Sequence, residues 1–403
     1  MNMKKTILIY VSDLERADFF KRFSNGLKKL NYHTIFLTGS WSTYQKLKKY
    51  DLYTKRLFSN RIYYLQNLDL NNSVDILAKI QNINEGKRLA NIIAGNIHYL
   101  SKHYNIVNIW TWNGSDTIGL AIKEISKILS INTCFFEISN LKGKIFIDPV
   151  GVNAQSYIFQ NKKILENFQL NDNLYESWFS SYKRHINSPI PQVKLKQKLN
   201  AIVLFDSIMI VFFGWPKTDY YSVINRIIKK IKMRLIKKNT SKNTHFGKYV
   251  FLPLQLNEDS QVILNGNSLN NEKTIDYCIE YASTRNLELI VKPHPAETNF
   301  DFINYLKRRC ILDNFTISNN HTSELIEKSE IVITINSTVG LQAILENKEV
   351  IFLGKSLYSF LDSVELKTYI CNYLIDIEYA SNNDVDIINI NKIIKRSQFI
   401  FNE

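Results

Sequence analysis

Short β-branched runs alternate with longer segments whose apolar residues recur at helical spacing. In the first third of the chain this pattern predicts strands at 6–11, 33–38, 106–112 and 131–138. It predicts helices at 14–30, 83–104 and 117–129. Strands and helices in alternation are typical of an α/β domain built on a parallel sheet.

The same alternation returns near residue 249, after a stretch from 140 to 248 that loses it. The predicted later strands are 249–254, 287–291, 315–318, 331–335 and 349–353, and the predicted helices are 273–284, 301–309, 323–328 and one after Ser337. We therefore predict an N-terminal Rossmann-like domain at 1–145, an interdomain region at 146–248 and a C-terminal Rossmann-like domain at 249–403. Two such domains facing a central cleft describe the GT-B fold of glycosyltransferases.

Length and composition agree with two cores, since the chain has 403 residues and 45% of them are hydrophobic. No apolar stretch approaches the roughly 20 residues that span a bilayer, and the first residues lead straight into a strand. We expect a cytoplasmic protein. The four cysteines are far apart and suggest neither disulfides nor a zinc site.

The net charge of +14 is concentrated in one segment. Nine lysines and arginines and no acid lie between Arg226 and Lys248, and isoleucines recur at helical spacing from about 223 to 238. The segment is either a solvated helix packed on its own domain or a helix on an anionic membrane surface. Without any nucleic-acid-binding signature, we expect no nucleic acid partner.

Two strand ends carry the strongest chemical signal. Residues 289–295 (LIVKPHP) and 331–340 (IVITINSTVG) each run from a buried-looking strand into polar residues. We expect two adjacent parallel strands to aim His294 and the hydroxyls of Ser337 and Thr338 at one pocket. Ser337 is also placed to cap a helix whose N-terminus favours a phosphate. Lys292 adds positive charge there or is merely solvated, and His294 is alternatively a structural histidine.

No metal or cofactor is expected. The clear Asp-x-Asp sequence, Asp384-Val385-Asp386, lies far along the chain from the strand-end motifs. A loop or helix cap is its better interpretation.

Four segments together resemble the capsule polysaccharide synthesis family of KpsS and KpsC, bacterial Kdo (3-deoxy-manno-octulosonate) transferases. They are 136–137 (FE) through 148–156 (DPVGVNAQS), 253–262 (PLQLNEDSQV), 292–295 (KPHP), and 334–340 (TINSTVG) with 354–358 (GKSLY). The resemblance covers most of the chain from about residue 105 onward. At 137–141 this chain has EISNL, where the family has a Glu-x-Gly-Tyr-Leu pattern, so the glycine and the aromatic residue are absent.

The resemblance implies a CMP-activated ulosonic acid donor and a retaining double displacement, which needs a carboxylate nucleophile. It points to Asp259 as nucleophile, with Glu258 as competitor, and to Glu137 as general base toward the acceptor. His294 then assists the leaving CMP phosphate. The implied binding residues are Lys292, His294, Asn336, Ser337, Thr338, Gln255 and Gly340. Alternatively, Asp259 is a cap, Glu137 a surface residue, and Gln255 and Gln261 loop caps.

We therefore expect a glycosyltransferase that moves an ulosonic acid, with Kdo as the lead sugar, onto a capsule or other surface glycan or glycolipid. The closest alternative is a transferase for a CMP-nonulosonic acid such as pseudaminic acid. A non-catalytic capsule assembly or export partner is an alternative of another class, and a nucleotide-sugar epimerase is a weaker one. If the basic segment binds lipid, the protein lies peripherally on the inner face of the cytoplasmic membrane.

Overall fold

A computed structural model describes residues 3–139, 141–185, 201–218 and 247–398. The described chain divides into two compact units. The first contains residues up to 182, then 201–218 and 363–398, and the second contains 183–185 and 247–362. The predicted basic helix at 223–238 lies outside the described residues.

The first unit is built on a seven-stranded sheet. Its strands are β1 (Lys5–Tyr10), β2 (His33–Thr38), β3 (Thr54–Arg56), β4 (Asn105–Trp112), β5 (Asn132–Ile138), β6 (Lys144–Asp148) and β12 (Ile375–Asp376). The order is β3-β2-β1-β4-β5-β6-β12. The first five strands in sequence are parallel, β6 pairs antiparallel with β5, and β12 pairs antiparallel with β6.

Helices cover both faces of this sheet. They are Leu14–Lys21, Ser24–Lys29, Trp41–Lys49, Val74–Leu77, Ile83–Ser101, Thr117–Ile128, Tyr157–Gln160, Asp172–His185, Ala201–Phe212, Ser363–Thr368 and Ile387–Arg396. The last residues of Asp172–His185 are assigned to the second unit. The single helix predicted at 14–30 is two helices, because the Ser24 hydroxyl donates to the Lys21 carbonyl (2.7 Å) at the break.

The second unit has a five-stranded, fully parallel sheet in the order β11-β10-β7-β8-β9. Its strands are β7 (Tyr249–Pro253), β8 (Glu288–Lys292), β9 (Thr316–Ile317), β10 (Ile331–Thr334) and β11 (Glu349–Phe352). Its helices are Ser260–Asn265, Asn271–Thr284, Phe300–Leu312, Thr322–Lys328 and Thr338–Leu345. Both units thus follow the Rossmann strand order, and the predicted α/β class with two Rossmann-like domains is confirmed. The predicted central cleft stays a prediction.

The predicted boundary of the C-terminal domain is wrong for residues 363–398, which fold with the first unit. Ile375 pairs with Ile145 in the antiparallel β12–β6 ladder. Ile390 and Ile393 lie fully buried in the first unit's core. The guanidinium of Arg396 donates to the Ile147 carbonyl (3.1 Å) and is itself buried. This segment, here called the return segment, follows the second unit in sequence. It folds with the first unit because its apolar residues are buried against the first sheet.

Most of the described part of the predicted interdomain region also folds with the first unit. The fully buried carboxylate of Asp148 explains how the loop after β6 is held. It accepts backbone N–H bonds from Val150 (2.8 Å), Gly151 (3.1 Å) and Tyr157 (2.9 Å) and a hydroxyl bond from Tyr373 (2.7 Å). Asp148 therefore ties this loop to the C-terminal return segment.

Among the described residues, no helix is both long and apolar enough to cross a membrane.

Candidate functional site

The carboxyl-end edge of the second sheet brings most of the predicted site residues together. Asp259 follows β7, His294 follows β8 and Ser337 follows β10. Because β7 lies between β8 and β10, the strands that carry His294 and Ser337 are not adjacent, contrary to expectation. From β7 the chain runs to β8 and β9 on one side and then crosses to β10 and β11 on the other side. The strand order therefore reverses at β7, and such a topological switch point is where open α/β sheets bind ligands.

A closed amide pair joins the ends of β7 and β10. Gln255 donates from Nε2 to Asn336 Oδ1 (3.0 Å) and accepts the Asn336 backbone N–H at Oε1 (3.1 Å). Asn336 also donates from Nδ2 to the Gln261 carbonyl (2.8 Å), and both amides are buried. Gln255 and Asn336, predicted as ligand contacts, are thus engaged with each other and hold the two loops in register.

Asp259 is the N-cap of the short helix Ser260–Asn265. Its Oδ1 accepts the backbone N–H of Gln261 (2.8 Å), so the alternative of a capping role is realised. Burial raises the pKa of the Asp259 carboxyl, while the Gln261 N–H and the charge of His294 lower it. The charge of His294 thus acts on the Asp259 carboxyl, and both residues follow strands that end at this edge of the sheet. Glu258, the competing carboxylate, is exposed.

The ring of His294 is oriented by its own turn. Nδ1 accepts the backbone N–H of Ala296 (3.1 Å), and the His294 carbonyl accepts the N–H of Glu297 (3.0 Å). Since Nδ1 is the acceptor, the proton of the neutral imidazole resides on Nε2. His294 is half-buried and in this tautomer offers a hydrogen-bond donor at Nε2. Lys292, at the end of the same strand, donates its ammonium to the Asn320 carbonyl.

Ser337 caps the helix Thr338–Leu345, as predicted, and its hydroxyl accepts the Val339 N–H (3.1 Å). Thr338 is the first helical residue and is half-buried. Gly340 has a packing role here, and its predicted binding role stays a prediction. A Cβ at this position would lie 2.5 Å from two ring carbons of Phe352 on β11. Gly340 therefore allows the helix to pack closely on the sheet.

We expect Gly340→Ala to lower the free energy of unfolding by about 1–3 kcal/mol, because the added methyl overlaps the Phe352 ring. Denaturant unfolding measures this change. The matched test is a double-mutant cycle with Phe352→Leu, which removes the ring and should make Gly340→Ala far less costly. Equal costs of Gly340→Ala in both backgrounds would contradict the packing role.

The first unit presents a second carboxylate at the carboxyl end of its own sheet. Glu137 on β5 accepts the Ile138 N–H at Oε1 (2.9 Å) and the Asn113 side-chain amide at Oε2 (3.2 Å). Asn113 has a left-handed backbone (φ 63°) directly after β4. Sequence reasoning missed Asn113, although Asn-Gly after a predicted strand is a turn signal. It also missed Asp116, whose pKa is raised to about 7 by burial and by the charge of Asp75.

The Asp-x-Asp sequence has a structural role at the C-terminal return segment. Asp384 accepts the side-chain amide of Asn25 (2.9 Å), and Asp386 caps the helix Ile387–Arg396 through the N–H of Ile388 (2.6 Å). The predicted cap interpretation is confirmed. Within the described ranges, no three histidine, cysteine or carboxylate side chains group as metal ligands.

Comparisons with known proteins found one sequence relative and several similar structures. The chain is 34% identical over 119 residues to protein FixF of Sinorhizobium fredii, a match that spans 29% of each chain. It is similar to the KpsC β-Kdo 2,7-transferase of Thermosulfurimonas dismutans, with 12% identity over 97% of this chain and 99% of that one and a TM-score of 0.47. It is also similar to the Methanocaldococcus jannaschii UDP-GlcNAc 2-epimerase, with 11% identity, 97% and 98% coverage and a TM-score of 0.35.

The family model for capsule polysaccharide biosynthesis proteins matches residues 154–362. That range is more than half of the chain. It contains Asp259, His294 and Ser337 together with the whole five-stranded sheet. The chain belongs to the capsule polysaccharide biosynthesis family.

Proposed function

We propose that this protein is a glycosyltransferase that moves an ulosonic acid, Kdo in the first instance, from its CMP conjugate onto a surface glycan or glycolipid. The observation that carries the proposal is that Asp259, His294 and the Ser337-capped helix all follow strands that end at the switch point of the second sheet. Membership in the capsule polysaccharide biosynthesis family supports it. The donor and the mechanism follow the family resemblance of the motifs.

The first step uses the second unit alone. The Asp259 carboxylate attacks the anomeric carbon of the donor sugar, and the bond from that carbon to the phosphate oxygen breaks. CMP leaves with the bonding electron pair. His294, which carries its proton on Nε2 in this tautomer, donates a hydrogen bond or a proton to the leaving phosphate. The N-terminus of the helix that begins with Thr338 adds a favourable dipole for the same phosphate.

In the second step an acceptor hydroxyl attacks the anomeric carbon of the glycosyl ester. The ester bond to Asp259 breaks, the carboxylate is restored and the anomeric configuration of the donor is retained. We propose Glu137 as the general base that takes the hydroxyl proton. Its two oxygens already accept hydrogen bonds from Ile138 and Asn113, which fix the carboxylate in one orientation. No metal is needed in this scheme, because the donor has one phosphate.

A panel of activated sugars tests the proposal. We expect CMP release from CMP-Kdo, and release from a CMP-nonulosonic acid alone would shift the assignment to the alternative donor. UDP-GlcNAc is incubated without acceptor as a test for epimerase activity. Its conversion into an epimer would identify an epimerase and not a transferase. If none of these donors is turned over in the presence of capsule glycans or glycolipids, the chain is a non-catalytic assembly partner.

We further propose that the protein works in the cytoplasm on the inner face of the cytoplasmic membrane, where glycolipid acceptors are presented. The basic segment from Arg226 to Lys248 supports this location through its charge alone.

A further inference from the structure

The helix Ala201–Phe212 of the first unit exposes large apolar side chains, whereas its acidic residue faces the unit. Its acidic residue, Asp206, faces the unit and accepts the Ser42 N–H (2.8 Å), the Ser42 hydroxyl (2.6 Å) and the Ser40 hydroxyl (3.3 Å). Large apolar side chains face outward instead. They are Phe205, Ile208, Val211, Phe212 and Phe213, here called the apolar ridge. Surface helices of globular domains normally turn their apolar stripe inward.

Aromatic contacts at both ends of the apolar ridge hold it against the first unit. Trp215 is buried just beyond it, with its ring 5.8 Å from Tyr44 and the Arg56 guanidinium 5.4 Å above it. At the other end the ring of Phe205 lies 5.9 Å from that of Trp41. Yet Val211 is 72%, Phe212 75% and Phe213 59% exposed. These three neighbouring apolar side chains are exposed although the helix itself is held against the unit. Such an exposed apolar patch indicates a surface that binds an apolar partner.

We infer that the apolar ridge inserts into the interfacial layer of an anionic lipid bilayer. A helix of 12 residues is about 18 Å long, too short for the roughly 30 Å of a bilayer core, so it lies in the membrane plane. Aromatic and aliphatic side chains on one face are what such interfacial helices bury. The inference rests on the proposed location at the membrane and adds to it a defined hydrophobic contact.

Charge and size favour lipid over a second copy of the chain. The net charge is +14, which attracts anionic headgroups and opposes the approach of an identical molecule. Nine of its cations follow the ridge in sequence, between Arg226 and Lys248. A stable protein interface also uses roughly 20–30 residues on each side. The apolar ridge offers five.

Co-sedimentation of the full chain with phosphatidylcholine vesicles, with and without phosphatidylglycerol, tests this inference at low and at high salt. Electrostatic attraction is screened by salt, whereas apolar insertion is not. We expect wild-type protein to keep a salt-resistant bound fraction on anionic vesicles. The triple variant Val211→Ser, Phe212→Ser, Phe213→Ser should lower that partitioning by at least about tenfold.

The matched control is Ile311→Ser, Leu312→Ser in the second unit, where the two side chains are 82% and 77% exposed. It removes exposed apolar surface away from the ridge and should leave partitioning unchanged. CMP release, measured without vesicles, should be the same in all three proteins. Failure of the transferase proposal would therefore appear in CMP release and not in sedimentation.

Equal salt-resistant binding of the wild type and the triple variant would overturn the inference. So would a concentration-dependent dimer that the triple variant abolishes, because the ridge would then be a contact between copies. A second measurement is independent of affinity. Phe212→Trp should be quenched by brominated lipid, and an unquenched indole in sedimented protein would also contradict insertion.

Discussion

Asp259→Asn should reduce turnover by at least about a thousandfold while donor binding stays within a few fold of the wild type. The amide cannot act as a nucleophile at the anomeric carbon. It can still accept the Gln261 N–H that Asp259 Oδ1 accepts now, because asparagine is as good an N-cap as aspartate. The fold of the loop should therefore survive. Initial rates of CMP release and calorimetric titration with donor measure the two quantities.

Glu258→Gln is the matched control, since it makes the same chemical change one residue away at an exposed position. It should keep nearly full activity. The reverse outcome, an active Asp259→Asn and an inactive Glu258→Gln, would transfer the nucleophilic role to Glu258.

Wild-type activity should also fall on acidification at a higher pH than an exposed aspartate would give. Burial raises the pKa of Asp259, and only the deprotonated carboxylate attacks.

His294→Ala should weaken CMP binding by about tenfold to a hundredfold and lower turnover at least as much. The change removes a hydrogen bond to a charged phosphate, a class of interaction worth roughly 1.5–3 kcal/mol. His294 is only half-buried, so its loss should leave the free energy of unfolding nearly unchanged. Calorimetry with CMP, followed by denaturant unfolding, separates the two effects.

His321→Ala provides the control in the same unit, because His321 is exposed and its side chain makes no capping bond to the helix that it precedes. Its CMP affinity should equal that of the wild type. Unchanged CMP affinity and turnover in His294→Ala would remove the imidazole from the donor site and leave the phosphate to the helix that begins with Thr338.

The hydrophobic pattern predicted the parallel strands well because strands covered on both faces read as continuous β-branched runs. It missed β3, which has three residues, and β6, which has five. It also missed β12, which has two residues and forms because Ile375 pairs with Ile145, far away in sequence. Two residues carry no periodicity. For the same reason the return of residues 363–398 to the first unit could not be predicted, since nothing in its amphipathic helix says which sheet it covers.

The candidate site was predictable to the extent that it follows one rule. Polar residues after parallel strands meet at one edge of the sheet, and this rule predicted that Asp259 and His294, which follow the neighbouring strands β7 and β8, lie at the same edge. The pairing of Gln255 with Asn336 was not predictable, because the residues are 81 positions apart and nothing local marks their amides as mutual partners. The packing role of Gly340 was not predictable either, because it depends on Phe352 of a neighbouring strand.

The most direct test of the account is a rapid quench of the protein with CMP-Kdo and no acceptor, followed by mass analysis of its peptides. The account predicts CMP release and a sugar adduct on the peptide that contains Asp259. The adduct should disappear when acceptor is added and should never form in Asp259→Asn. CMP release without any adduct, together with a product of inverted anomeric configuration, would contradict it.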